Sequence, residues 1–379
     1  MLRTRIPGIR ALAASAAFLA LAACGGGDGP VDPPPPPPPA LSVATSGRLE
    51  RGNTVSVTVT LNGTALAAGA YTLAVSPADA GQVAGAEVTL LKAGSVTLSA
   101  TAGTSTGSAQ LTVAAPPVVV FDRFTGGSRD IWRVDLDGQN LVQLTTDPGE
   151  DQDPSVAQGK VVWASFRSGN AELYSIPLAG GATTRLTTTA VDESTPALSP
   201  DGTKLAWSQV VGGVTKIYTA DANASGAARA TPGTFGFDGA IETAPAWAAG
   251  SKLAFVATAN GTADIFQNTP GAVPTLLAGG NTAEVEPAWS PDGNTLAFVS
   301  NRGGGTDIYL LNVATGAVTQ LTSGTGSKAQ PAWTPDGRLV YLETLNGTRL
   351  RWVDPAQPAT AHTIETGTGT VGHPAATAP

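Results

Sequence analysis

Two hydrophobic rhythms divide the chain. From residue 40 to 115, apolar and polar residues alternate in short runs. Val55, Val57 and Val59 share one strand face, and Val96, Leu98 and Ala100 share another. Asn62-Gly63, Pro77-Ala78-Asp79 and Ala93-Gly94 punctuate these runs as turns. This spacing predicts a small β-sandwich over 40–115. From residue 117 onward the period is longer. A short apolar strand carries an aromatic at Phe121, Trp163, Trp207, Phe255, Phe298 and Tyr341. A proline followed by a small residue recurs at Pro154, Pro196, Pro245, Pro287, Pro331 and Pro374. Both series repeat about every 43 residues, the length of a four-stranded propeller blade.

One repeat reads through in full. Pro287-Ala288-Trp289-Ser290 is a first strand, Pro291-Asp292-Gly293 a tight turn and Leu296-Ala297-Phe298-Val299-Ser300 a second strand. Asp307-Ile308-Tyr309-Leu310-Leu311 is the third, and Val318-Thr319-Gln320-Leu321-Thr322 the outer strand. The two anchor series are offset. Phe121 has no proline strand before it, and Pro374 has no aromatic strand after it. The final segment, Val371 to Thr377, is therefore expected to complete the sheet begun at Val118, so that no edge is left open at the seam. The expectation is an all-β chain: a sandwich over 40–115, then a six-bladed propeller over 117–379 closed by the C-terminal strand.

The amino terminus follows neither rhythm. Arg3, Arg5 and Arg10 precede an apolar run, Ala11 to Ala20, that is too short to span a bilayer. Leu21-Ala22-Ala23-Cys24 resembles a bacterial lipobox. The resemblance implies a signal peptide over 1–23, cleavage before Cys24 and acylation of that residue. Cys24 is the only cysteine, so it cannot pair within the chain. Gly25 follows it rather than Asp, which by Gram-negative sorting implies the outer membrane. The Gly-rich then Pro-rich stretch over 24–39, with an unbroken proline run from Pro33 to Pro39, reads as a tether.

Composition narrows the function classes. Charged residues are 13% of the chain, against a usual ~25%. A pI near 4.8 and a net charge of −8 argue against nucleic acid as a partner, since such binding needs a basic face. Loss of residues 1–23 removes three arginines and no acid, leaving the mature chain more acidic still.

Two family resemblances refine this picture. Residues Gln82 to Ala100, closed by Ala109-Gln110-Leu111-Thr112-Val113, resemble a bacterial Ig-like domain of group 2, although the family's usual Trp is absent. Such domains serve as spacers or adhesive modules. The run from Pro287 through Tyr309 to Leu321-Thr322, with PDG turns also at Gly202 and Gly337, resembles the TolB-type propeller repeat. Asp130-Ile131-Trp132 and Asp264-Ile265-Phe266 repeat its third strand; Ala230-Thr231 and Arg349-Leu350-Arg351 depart from it. The family's namesake is periplasmic, has an α/β amino-terminal domain and carries no lipid, so the resemblance implies the repeat's fold and not that protein's role.

Chemistry-bearing motifs are sparse. Gly103-Thr104-Ser105-Thr106-Gly107 fits a nucleophile elbow by spelling only, because it lies in a hairpin. Gly367 to Gly372 fits a dinucleotide loop without a helix to hold phosphate. His362 and His373 are the only histidines and lie near no nucleophile motif. The loops entering the inner strands, however, are acidic, and Asp153, Glu193, Glu242 and Glu286 form a candidate rim around one propeller mouth, to which the last two repeats instead offer Lys328 and His373. Such a rim would attract a basic peptide segment or a cation such as calcium; no other cofactor is expected. The leading expectation is a monomeric, non-enzymatic envelope lipoprotein binding a protein or envelope polymer. A propeller-type polysaccharide lyase and an adhesin acting through the Ig-like domain are the alternatives.

Overall fold

The computed structural model describes residues 40–231, 239–259, 261–377 and 379. The signal peptide, Cys24 and the tether expected over 24–39 lie outside the described residues.

The amino-terminal unit is two antiparallel sheets face to face. Strands Leu41–Ser46, Thr54–Leu61, Glu87–Leu90 and Gly81–Ala84 form one sheet in that order, with Thr64–Ala65 added to the second strand. Thr72–Ser76, Gly94–Ala102 and Ser105–Val113 form the other. Val55, Val57 and Val59 meet Val96, Leu98 and Ala100 in one core, as their alternation requires. The Asn62-Gly63 hairpin has φ of 51° and 82°, the left-handed pair that a two-residue turn needs.

Residues 118–377 form six four-stranded antiparallel sheets, numbered I to VI here. Sheet I orders Val142–Gln143, Ser128–Asp135, Val118–Thr125 and finally Thr370–Thr377. The other five are consecutive in sequence and begin with the inner strands Asp151–Ala157, Glu193–Leu198, Ile241–Trp247, Glu284–Trp289 and Ser327–Trp333. Each inner strand lies beside the next, and Thr370–Thr377 lies beside both Asp151–Ala157 and Ser327–Trp333, so the series closes on itself. The seam is the pairing of Thr370–Thr377 with Val118–Phe124.

Six apolar clusters hold these sheets, and several combine residues of adjacent sheets. The recurring aromatics Phe121, Trp163, Trp207, Phe255, Phe298 and Tyr341 are all buried second-strand residues. Four of them meet the aromatic opposite on the third strand, with ring centroids 6.0–6.4 Å apart, as in Phe298–Tyr309 and Phe255–Phe266. Buried parallel-facing strands of this kind read as continuous apolar runs because both faces are covered.

The inner strands start earlier than the sequence reading places them. The strand read as Pro287 to Ser290 runs Glu284–Trp289. Its register breaks between Val285 and Ala288, where an extra residue is accommodated before the proline.

Candidate functional site: the mouth of the central bore

That break recurs in every inner strand. Register shifts at Gln152/Ser155, Ser194/Ala197, Thr243/Ala246, Val285/Ala288, Ala329/Ala332 and Gly372/Ala375. The residue just ahead of each recurring proline has positive φ: Asp153 55°, Thr195 48°, Ala244 51°, Glu286 54°, Gln330 53° and His373 43°. None is glycine, and Thr195 is β-branched, so each conformation is disfavoured by about 1–3 kcal/mol. The bulge turns these six side chains off the sheet. With the prolines that follow, they line one cavity of about 470 Å³.

Side chains and backbone tie five of the six positions, all but Ala244, into a chain running from Glu286 through Gln330, His373 and Asp153 to Thr195. The Thr195 amide donates to Asp153 Oδ2 at 3.3 Å, and the Gln330 amide to Glu286 Oε2 at 2.6 Å. The His373 amide donates to Gln330 Oε1 at 2.7 Å, and the Asp153 amide to Asp122 Oδ2 at 3.4 Å. Each acceptor thus fixes the bulge of the following sheet.

His373 is the centre of charge. Its Nδ1 lies 2.6 Å from Asp122 Oδ2 and its Nε2 2.9 Å from Asp153 Oδ1. Asp122 is fully buried and also accepts from Arg129. Burial by itself would lower the imidazole pKa. The hydrogen bonds and negative charges of Asp122 and Asp153 outweigh it and push it up to about 10. His373 is therefore a cation at neutral pH, with both ring nitrogens donating. Gly372 makes this possible: a Cβ there would sit 2.8 Å from Asp122 Oδ1. Burial raises the Glu286 carboxyl above the usual carboxylate range, against the Gln330 amide and the charge of His373.

The four acids expected to share one rim divide into two sets. Asp153 and Glu286 face the bore. Glu193 and Glu242 lie two residues ahead of the bulge and are fully buried between sheets. Glu193 accepts from Thr187 Oγ1 at 2.6 Å and Thr189 Oγ1 at 2.7 Å. Glu242 accepts from Thr231 Oγ1 at 2.9 Å and Lys216 Nζ at 3.3 Å. These threonines lie just past the outer strand of the preceding sheet, so the two glutamates join sheet to sheet. Burial drives the Glu193 carboxyl up to about 7; the two hydroxyls oppose this and neighbouring Glu172 adds to it. Lys328, at the same strand position in sheet VI, spends its ammonium on the carbonyls of Gly324, Thr325 and Gly326.

Sequence reasoning placed His373 at this mouth beside the acids but passed over its partners Asp122 and Gln330. The signal was the residue immediately before the repeated proline, a place His373 shares with Asp153 and Glu286. Donor atoms of Asp122, Asp153 and His373 lie within 4.8 Å of one another. Calcium, which prefers an all-oxygen shell, does not suit this set. Any cation here would have to displace the imidazolium proton that already balances the two carboxylates.

Around this mouth lie exposed apolar side chains. Phe124, Phe166, Val211 and Leu345 stand at the tips of second strands in sheets I, II, III and VI, and Ile241 starts the inner strand of sheet IV. They are 40–49% exposed. Strand direction puts all five at the end of the ring where inner strands begin.

Comparison with known proteins bears on the ring. Residues 194–368, which span sheets III to VI, match the family model described as PD40, TolB beta propeller domain. This part of the chain is similar to a TolB-type β-propeller domain. A TolB homolog of Chlorobium luteolum is 30% identical over 126 residues, covering 32% of this chain and 27% of that protein. A TolB homolog of Chlorobium chlorochromatii is 31% identical over 109 residues, 28% of this chain and 23% of that protein. The chain thus spans about a quarter of the length of the curated relatives it matches. Among solved structures, TolB from Acinetobacter baumannii superposes with a TM-score of 0.62 at 16% identity, covering 81% of this chain and 82% of that one. Hydrazine synthase of Kuenenia stuttgartiensis superposes at 0.56 and 13% identity, covering 69% and 46%. At these identities the TolB-like likeness is one of fold.

Proposed function

We propose that this chain is a monomeric, non-enzymatic cell-envelope scaffold that binds a partner protein at the mouth of its bore. In this reading the six sheets are the blades of a six-bladed TolB-like propeller over 117–379. The sandwich over 40–115 is an Ig-like module, and residues 24–39 tether both to a lipid on Cys24 in the outer membrane. One observation carries the functional part: five exposed apolar side chains stand at the end of the ring where the bore wall presents Asp153 and Glu286. Exposed apolar side chains gathered at one end of the ring, beside a cavity lined by convergent polar groups, support a docking role for that end. Asp153 is already balanced by His373, so it is Glu286, held by the Gln330 amide, that favours a partner segment carrying a basic residue among apolar ones.

The non-enzymatic part rests on His373. Both ring nitrogens are engaged by carboxylates, so neither is free to accept a proton from a nucleophile. His362 is stacked on Trp352, with centroids 4.1 Å apart, on the outer pair of strands in sheet VI, remote from the bore.

Photo-crosslinking in intact cells tests the reading. With a photoreactive residue at Phe166 or Leu345, discrete protein adducts are expected, and few with the probe at exposed Leu276 on an outer strand. Adducts restricted to probes in the sandwich would transfer the binding role to that module.

A further inference from the structure

The geometry points to the amino-terminal sandwich as a clasp across the seam of the ring, holding sheet I to sheet VI from outside. The residues responsible sit in one loop, 47–53, between the first two sandwich strands. Arg51 reaches sheet I: its Nε donates to Asp137 Oδ2 at 2.8 Å, and its Nη2 to Asp137 Oδ1 at 3.1 Å and to Asp135. Glu50, the adjacent residue, reaches sheet VI. Both its oxygens accept from Arg338 Nη2, at 2.9 and 2.8 Å. Glu50 and Arg338 are 5% and 3% exposed. Arg48 adds a more exposed bond to Asp336 at 2.6 Å.

Sheets I and VI flank the place where the ring closes without a covalent link. Thr370–Thr377 continues the chain from sheet VI and pairs with Val118–Phe124 of sheet I. Asp135 is the register partner of Val118, which in turn pairs with Thr377. The clasp therefore grips sheet I at the lower end of the closing strand. The loop itself is fixed: the Arg51 amide donates to the Ala114 carbonyl at 3.0 Å, and the Ala114 amide to the Leu49 carbonyl at 2.8 Å. Only residues 114–117 separate the sandwich from sheet I.

Opening the ring requires sheet VI, with its trailing strand, to move away from sheet I. Since neighbouring residues of one short loop hold the two sheets, that motion must break one attachment. It would separate buried Glu50 from Arg338, or part-buried Arg51 from its two aspartates. The use of opposite charges gives the clasp a register as well: Glu50 is matched to the arginine of sheet VI, and Arg51 to the aspartates of sheet I. A module acting purely as a spacer would need neither.

Amide hydrogen exchange on the full chain is the test. In a Glu50→Gln, Arg51→Met double variant, amides of Thr370–Thr377 and Val118–Thr125 are expected to exchange at least tenfold faster. Those of Thr295–Ser300 in sheet V should stay within about twofold of wild type. Seam amides that keep wild-type rates, or a uniform acceleration across all six sheets, would overturn the clasp. If the double variant does not fold, Arg51→Lys serves instead. It keeps one cation but loses the bidentate hold on Asp137, and the same selective acceleration, smaller in size, is required of it.

Discussion

At the scale of single residues, the site depends on His373, which sequence reading placed at the mouth without its carboxylate partners. His373 gains a charge on folding that it lacks in the unfolded chain near neutral pH. Its folded pKa, about 10, lies above the unfolded value. Its stabilising contribution is thus complete below about pH 6.5 and is lost as pH rises through 10. Replacing it by Gln should cost on the order of 1–3 kcal/mol at pH 6, because buried Asp122 loses a charged donor. The gap to wild type should close by pH 10, as urea unfolding at pH 6, 8 and 10 would record. What the sequence concealed here was direction. Asp153, Glu193, Glu242 and Glu286 all stand near a recurring proline and look equivalent in a linear reading. A one-residue bulge decides which of them enters the bore, and two residues of offset send Glu193 and Glu242 between the sheets instead. Bulges leave little trace in composition, so only the repeated X-Pro step, read across all six units, carried the information.

At the scale of elements, much of the architecture was legible, because strands that are covered on both faces must be apolar throughout. Phe121, Trp163, Trp207, Phe255, Phe298 and Tyr341 occupy the same second-strand position, and their neighbours left and right are buried with them. The offset between the aromatic and proline series also pointed to Thr370–Thr377 as the missing strand of sheet I. Strand starts were less legible. Polar Glu284 and Glu193 look like loop residues, yet they are buried because donors meet them: the Thr187 and Thr189 hydroxyls at Glu193, and Thr282, Ser300 and Arg302 at Glu284. Deleting residues 370–379 removes the seam strand and bares the edge of Val118–Thr125. The thermal midpoint should fall by on the order of 10 °C or more, and the exposed edge should promote association at higher protein concentration. Scanning calorimetry and light scattering on the truncated chain check both parts. A midpoint equal to that of the full chain would show that the ring does not depend on this pairing.

At the scale of the whole molecule, the tether and the sandwich bear on how the ring is held. The proposed lipid on Cys24 predicts that Cys24→Ser moves the protein from the membrane fraction to the soluble one, as immunoblotting of separated fractions would record. Retention in the membrane fraction would discard the anchor while leaving the ring untouched. The path of the first strand then has a consequence for geometry. Leu41–Ser46 runs toward loop 47–53, and that loop grips the ends of sheets I and VI opposite the acidic mouth. Ala40 stands beside Asn62, at the far tip of the sandwich. The module has the place of a pedestal: if the proposed tether leads away from Ala40, the opening with His373 lies at the opposite end of the described residues, facing away from that attachment.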